Sequence, residues 1–457
     1  MTAKDLSSVS GDPSSPPDPF FASLQAHFQS VVSQLQQLDV EAIARQTGFL
    51  KRSPRKIPMR DFVCGLLAVA PETHLTLEHL ANSIGLAAHT TYTKQSLEER
   101  LGPETRSFLI LLATALLGQL DHALICGPAL AFFERVLVND STSQRLPPHL
   151  ADVFSGSGNQ HGQDCAQLKS QWIADLKNGA LAHVSLSGFT RNDQAAAPDI
   201  LEVARPGDLI LRDLGYFTTA CLAELASRQI SFLSRYRHDV NVYDPQSGKP
   251  LNLMALLKEA GRLDMPVLLG PERVGLRLVA LPVPEEVANQ RRHEAKASAQ
   301  RRHRSPPGRE HLFLMGWSIF VTNVPLTLWS AQVLVAVYRL RWRIEITFKT
   351  WKSHLGLAKL NCHDPTLVEL SVLTKLMFCA LIGQLADWLE INSGPDRHVS
   401  LLRLGQILGS CACWVSAQIL GISVAQWVAF NLHRRAFYEQ RKKRKNYYEL
   451  FEQAGAG

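Results

Sequence analysis

Apolar and polar positions along this chain repeat first with one period and then another, and each change marks a new element. Over residues 20–133, runs such as LQAHFQSVVSQLQQL, FVCGLLAVA and FLILLATALLGQL repeat their apolar positions every three or four residues and predict helices. At RVLVNDST, residues 135–142, the texture becomes β-branched and apolar and ends in a lone carboxylate, Asp140, as a central strand would. QLKSQWIADL and ALAHVSLSGF follow as two more strands, joined by a turn through Asn178-Gly179. DLILRD, ending at Asp213, predicts a fourth strand; GYFTTACLAELASR predicts a helix entered through a turn at Gly215, and ISFLSRYR, residues 230–237, a fifth strand. Residues 238–325 break into short runs (PVLLG, LRLVALPV, HLFLMGWSIFVTNVP) punctuated by Gly and Pro, and predict a mostly β insertion with an Arg-rich stretch as an exposed excursion. A helix opening near Thr327 then carries Glu345, and the pattern stays helical to the end.

Three strands, then a strand, a helix and a strand, is the order of a ribonuclease-H-like fold with the helix after the meander missing or minor. The expected architecture is an α/β ribonuclease-H-like catalytic core with a mixed sheet, an inserted β-rich segment, and all-helical N- and C-terminal regions. The expected divisions are a disordered leader over 1–20, a helical domain able to grip DNA over 21–130, and the core over 131–237 and 326–390. The insertion occupies 238–325, and a helical C-terminal region with a basic tail occupies 391–457. A chain of 457 residues exceeds a typical single domain, and the Ser- and Pro-rich leader has too little apolar surface to order itself.

Charge changes the picture by its placement more than its total of +7. Residues 291–309 hold Arg291, Arg292, Lys296, Arg301, Arg302, Arg304 and Arg309 against Glu294 alone, and residues 434–445 are similarly basic. Lys51, Arg52, Arg55, Lys56 and Arg60 cluster between the first helices. Such runs suit a polyanion, because neutralising phosphates releases counterions, and they equally suit a solvated face. The eight cysteines lack the spacing of a disulfide framework or a zinc site, and the first twenty residues lack an apolar signal segment. Leu404 to Leu432 contains no charge, but its Gln, Ser, Asn and Gly residues point to buried helices, so a cytoplasmic protein with no membrane association is expected.

The chemistry concentrates in YRLRWRIEITFKTWK. At roughly 100° per residue, Tyr338, Arg341, Glu345 and Lys352 fall within an arc of about 60° on one helix. Val337, Ile344, Phe348, Trp351 and Leu355 form a separate apolar stripe. If Asp140 and Asp213 end neighbouring strands and Glu345 packs on the same sheet, three carboxylates converge. Hard oxygen donors without His or Cys favour Mg²⁺ or Mn²⁺, and two such ions activate an attacking oxygen and stabilise a leaving one in phosphodiester displacement.

Tyr338, Arg341, Glu345 and Lys352 match without a gap the Tyr-x2-Arg-x3-Glu-x6-Lys signature of DDE transposases of the insertion-sequence-four type. The chain also resembles that family at Asp140-Ser141-Thr142, at Asp213-Leu214-Gly215-Tyr216-Phe217 and at Thr322-Asn323-Val324-Pro325, a likeness covering about residues 40–390. The resemblance implies a bacterial, nucleoid-associated enzyme that acts on double-stranded DNA as a homodimer. It also implies cut-and-paste transposition by hydrolysis, a hairpin intermediate and strand transfer at one metal site formed by Asp140, Asp213 and Glu345. Arg341, Lys352 and Tyr338 are then expected at phosphates near the scissile bond. Trp317 and Trp342 are candidates to stack on a base turned out of the duplex, with core packing as the competing reading for both. Arg235 and Arg237 leave the fifth strand beside Asp213 and either touch DNA backbone or serve as ordinary surface charge. Two rivals stand beside this expectation: a catalytically silent DNA-binding relative, and a metal-dependent nuclease of the same fold.

Overall fold

A computed structural model of the protein describes residues 38–51, 57–71, 75–118, 128–158, 165–178, 180–301, 303, 305–357, 360, 362–392, 400–410 and 412–424, with a few of residues 23–33. The leader, most of the basic cluster after Lys51, Gly179, Arg302, Arg304 and the basic tail lie outside the described residues.

Among the described residues, nine strands form one sheet: β1 (Val136–Leu146), β2 (Ala166–Asp175), β3 (Leu181–Gly188), β4 (Leu209–Arg212), β5 (Ser231–Arg235), β6 (Val242–Tyr243), β7 (Leu263–Leu269), β8 (Val274–Pro282) and β9 (Trp317–Thr322). Their order is β3-β2-β1-β4-β5-β9-β8-β7-β6. β1 and β4, and β4 and β5, run parallel, and the other neighbours run antiparallel, so the sheet is mixed. The first three strands are the expected meander. Between β3 and β4 stand only a 3-10 turn at Ala197–Asp199 and a four-residue helix, Ile200–Val203.

The helices are α1 (Val40–Gln46), α2 (Met59–Val69), α3 (Leu77–Ala87), α4 (Lys94–Glu98), α5 (Pro103–Gly118), α6 (Ile200–Val203), α7 (Thr219–Ser227), α8 (Leu253–Ala260), α9 (Glu285–Arg301), α10 (Arg309–Leu314), α11 (Ala331–Arg339), α12 (Trp342–His354), α13 (Pro365–Asn392), α14 (Leu401–Ser410) and α15 (Ala412–Ile419). Helices from the two ends of the chain pack together. The Ser416 hydroxyl donates to the Ala68 carbonyl at 2.8 Å, the buried Lys375 ammonium donates to the Ala70 carbonyl at 2.9 Å, and Arg106 pairs with Glu369 at 3.1 Å. The uncharged stretch from Leu404 enters α14 and α15, and among the described residues no helix is long and apolar enough to cross a membrane.

Strand alternation divides the core. Val136, Val138, Leu209, Leu211, Trp172 and Phe320 face one cluster with the terminal helices, α11 and α12; Leu137, Ile210, Ile173, Ile319 and Val321 face another with α7 and α8. Both faces are therefore covered, as parallel strands require.

Three expectations need correction. Asp140 does not close β1, which runs on to Leu146 because β2 continues to pair with it, Asp140 opposite Trp172 and Leu146 opposite Ala166. The Arg-rich stretch, expected as an exposed excursion from a mostly β insertion, is exposed but largely helical, α9. Its apolar period is almost absent and only Ala288 on it is buried, so periodicity does not reveal it. Arg291 donates to the Trp317 carbonyl at 3.2 Å and Arg292 to the Leu312 carbonyl at 3.1 Å, so part of the basic run fastens α9 to its own surroundings. Finally, the helix carrying Glu345 is two helices: at Leu340 and Arg341 the backbone N–H groups bond to Val337 and Tyr338, three residues back, which tightens the turn between α11 and α12.

α12 lies against the β1–β2 pair partly through Trp172 of β2, whose buried ring stands 5.5 Å from that of Trp351. Trp172→Ala should therefore lower stability by about 3–5 kcal/mol in urea unfolding followed by circular dichroism, whereas Trp172→Phe should lose far less. A Trp172→Ala variant as stable as the parent would show that this contact does not anchor the helix.

Candidate active site

The parallel ladder between β1 and β4 pairs Val136 with Leu209, Leu137 with Ile210 and Val138 with Leu211, then stops. Asp140 and Asp213 each stand two residues beyond the last pair, and strand alternation puts both on the face that α12 covers. β4 ends at Arg212, and Asp213 opens the 3-10 turn Leu214–Tyr216, its carboxylate accepting the Gly215 N–H at 3.4 Å. Glu345 lies in the first turn of α12, where the helix dipole favours an anion.

Arg341 ties this group together. Its Nη2 lies 2.5 Å from Glu345 Oε1 and 3.6 Å from Asp213 Oδ1; the arginine side chain is 13% exposed and each carboxylate 40%. Burial pushes the Asp140 carboxyl up to about 6, and Glu345 and Asp213 add to the rise, while the Ser141 N–H and Arg341 oppose it. Asp140 thus senses both of the other acids. Burial lowers the Lys352 ammonium and Asp140 works against that, which places this cation by Asp140 too; among the described residues it has no carboxylate within ion-pair distance. The Tyr338 hydroxyl donates to the Arg212 carbonyl at 3.3 Å, its ring meets Phe320 edge-on at 5.0 Å, and burial raises its pKa to about 12. The tightened turn leaves Tyr338, Arg341, Glu345 and Lys352 gathered around the two aspartates.

The remaining expected contacts divide. Trp342, beside Arg341 at the start of α12, is 61% exposed. Arg235 lies near Tyr338 and Arg291 and has no carboxylate partner among the described residues. Arg237 is engaged by Asp239 at 2.6 Å and stacks over Phe217 at 5.6 Å. Trp317 is half-buried, its ring 6.2 Å from that of Phe313 and packed against the cluster on the opposite face of the sheet from Tyr338.

Several residues that position the acids are absent from the sequence-based expectations. Asp193 accepts the Ser141 hydroxyl at 2.8 Å, the Gln171 amide at 3.3 Å and the nearly buried Lys169 ammonium at 2.7 Å. Burial works to raise the pKa of Asp193, but these partners outweigh it and the carboxyl titrates below its usual range. The Tyr216 hydroxyl donates to Gln171, and a Cβ at Gly215 would come within 3.2 Å of Asp193 Oδ2, so the Asp213 turn rests directly on this network. Arg212 is wholly buried and donates to the Ala197 and Tyr216 carbonyls at 3.0 and 2.9 Å. A charged residue inside the apolar run LILRD was a usable signal, since a buried guanidinium must find acceptors. Nothing local in TRNDQAA singles out Asp193.

As a donor set, three carboxylates without His or Cys suit a hard divalent cation. As arranged, a guanidinium stands between two of them, and among the described residues no group of three His, Cys, Asp or Glu side chains is disposed to hold a metal ion.

Comparison with known proteins points to one family. The family model described as a transposase DDE domain matches residues 131–381, more than half of the chain. The chain is 27% identical over 356 residues to the transposase for insertion sequence element IS231C of Bacillus thuringiensis subsp. berliner, covering 72% of this chain and 73% of that one. It is 22% identical to the transposase for insertion sequence element IS1151 of Clostridium perfringens, over 69% and 71% of the two chains. A shorter stretch, 24% of the chain, is 31% identical to the putative transposase InsL for insertion sequence element IS186A of Escherichia coli strain K12, covering 29% of that protein.

The half-buried Asp140 makes stability depend on pH. Its ordinary value is 3.8 and its folded value about 6, so between them the folded chain holds a proton that the unfolded chain has lost. Stability therefore falls as pH rises through that window and stays lower above it. In EDTA, Asp140→Asn should be more stable than the parent at pH 8 by on the order of 2 kcal/mol and nearly equal to it at pH 4, measured by urea unfolding. A gap of the same size at both values would assign the effect to something other than this charge.

Proposed function

The chain belongs to the transposase DDE domain family, and from that premise we propose that it cuts DNA at the ends of an insertion sequence and joins those ends to target DNA through Asp140, Asp213 and Glu345. The observation that carries this reading is the matched offset of the two aspartates beyond the β1–β4 ladder, on the face where Glu345 is presented. Asp140, Asp213 and Glu345 would hold a divalent cation, Mg²⁺ or Mn²⁺ and by family resemblance two ions, once Arg341 gives way; the chemistry such a cation would supply is a lower pKa for an attacking water or hydroxyl and neutralised charge on the leaving oxygen.

The chain's own residues supply positioning and countercharge. Lys352, near Asp140 and with no carboxylate partner among the described residues, holds a phosphate next to the scissile bond, and Arg341 a neighbouring one. Tyr338 braces the backbone in front of Asp213 through the Arg212 carbonyl. Arg235 extends the cationic surface past Tyr338. Exposed Trp342 stacks against a base turned out of the duplex in a hairpin step, whereas Trp317 is read as core packing. The helical region over 21–130 grips the inverted-repeat ends, and a homodimer brings two ends together.

Asp140→Ala, Asp213→Ala and Glu345→Ala should each reduce Mg²⁺-dependent end cleavage by at least about 10³-fold, because several kcal/mol of charge stabilisation is lost, while gel-shift binding of the end persists. A variant that still cleaves removes that residue from the site, and cleavage by the parent without any joined product makes the protein a nuclease instead. Trp342→Ala should slow hairpin formation by about tenfold more than the first nick, since base–aromatic stacking contributes about 1–3 kcal/mol. Equal slowing of the two steps would leave Trp342 without that role.

A further inference from the structure

We infer that Arg341 is a built-in counter-ion, holding Asp213 and Glu345 together in the metal-free protein and giving up those carboxylates when a divalent cation binds. The inference rests on the reading of Asp140, Asp213 and Glu345 as cation ligands and adds an exchange between two occupants of one position.

Asp213 and Glu345 come from elements far apart in sequence and stand with Asp140 in a group whose like charges repel. Arg341 offsets that repulsion with one corner of its guanidinium, the same Nη2 serving Glu345 at 2.5 Å and Asp213 at 3.6 Å. This is not the parallel two-bond fork that makes an arginine–carboxylate pair strong. Nε of Arg341 is buried and has no acceptor among the described residues, so the guanidinium is held by charge with its hydrogen bonding incomplete. A small cation needs carboxylate oxygens at about 2.0–2.5 Å in its own geometry. Nη2, already at 2.5 Å from Glu345 Oε1, stands in the approach to that oxygen. At Oε1 the two occupants therefore compete.

The surroundings permit the exchange. Both carboxylates are 40% exposed, so a cation reaches them from solvent. Arg341 sits in the tightened turn between α11 and α12, and the Tyr338 ring, 5.7 Å from its guanidinium carbon, offers an alternative resting face. Once released, the guanidinium remains charged at every working pH and stands beside exposed Trp342, available to a DNA phosphate. Cation loading and the preparation of a phosphate contact become one event.

The test is Mn²⁺ binding to the full-length protein without DNA, read by loss of the free-ion electron paramagnetic resonance signal. Arg341→Gln should bind Mn²⁺ about tenfold more tightly than the parent, in the range of ordinary coupling between two ligands, with Arg341→Lys in between. Thermal melting supplies a second readout: in EDTA at pH 8 Arg341→Gln should melt below the parent, and saturating Mn²⁺ should close the gap. If Arg341→Gln does not fold in EDTA, Arg341→Lys carries both measurements. Affinity equal to or weaker than the parent's, or a melting gap unchanged by Mn²⁺, overturns the exchange while leaving the cation site intact. Binding that Glu345→Gln does not weaken, or no binding by the parent, removes the cation site and the exchange with it.

Discussion

The parallel register of β1 and β4 is the constraint on which the rest of this structure depends. Three residue pairs fix it, and both acidic strand extensions inherit their position from the last of them, Val138 opposite Leu211. Side chains alternate with period two, so a slip of one residue would turn an aspartate away from α12 and bring an apolar residue into its place. Such a slip is costly because both faces are covered: Val138 and Leu211 are buried in one cluster, Leu137 and Ile210 in the other. The register is thus held by apolar burial, and the carboxylates themselves need contribute nothing to it.

The surrounding polar groups hold what burial alone leaves loose. β4 is only four residues long, and the chain beyond it must turn sharply for Asp213 to stay beside Asp140. Arg212 fixes that turn by donating to the Ala197 and Tyr216 carbonyls, and Asp193 supports it from the opposite face of the sheet through Ser141 and Gln171. Ser141 couples the two systems, because its hydroxyl serves Asp193 while its N–H serves Asp140. A network of this kind specifies geometry well when its members are paired, which suits a site where small misplacements of the acids are costly.

The parts of this architecture that were legible in the sequence follow from period and position. RVLVNDST and LILRD each show an apolar run meeting a carboxylate, and alternation alone then puts Asp140 and Asp213 in comparable places. The continuation of β1 to Leu146 was not legible, because SQRL is polar and its strand state depends on β2 as a neighbour. α9 escaped for the opposite reason: a helix surrounded largely by solvent has no apolar stripe to betray it. Asp193 was illegible because its role comes from three partners on two distant strands, and the turn at Arg341 contains no Gly or Pro to announce it.

The two tryptophans show how a sheet sorts residues that sequence treats alike. Trp317 belongs to β9 with the parity of Ile319 and Val321, so its ring joins the cluster opposite Tyr338 and meets Phe313. Phe320, of the other parity, is the residue that touches Tyr338. A base stacked on Trp317 would therefore lie against the other face of the sheet from Tyr338. Trp342 is under no such restriction: it is 61% exposed and adjoins Arg341. An exposed indole presents a flat apolar face to whatever binds beside it. On the proposed mechanism that partner is a nucleobase, and the base, the phosphate held by Arg341 and the three carboxylates then lie on one side of the sheet, where a single strand of DNA can meet them together.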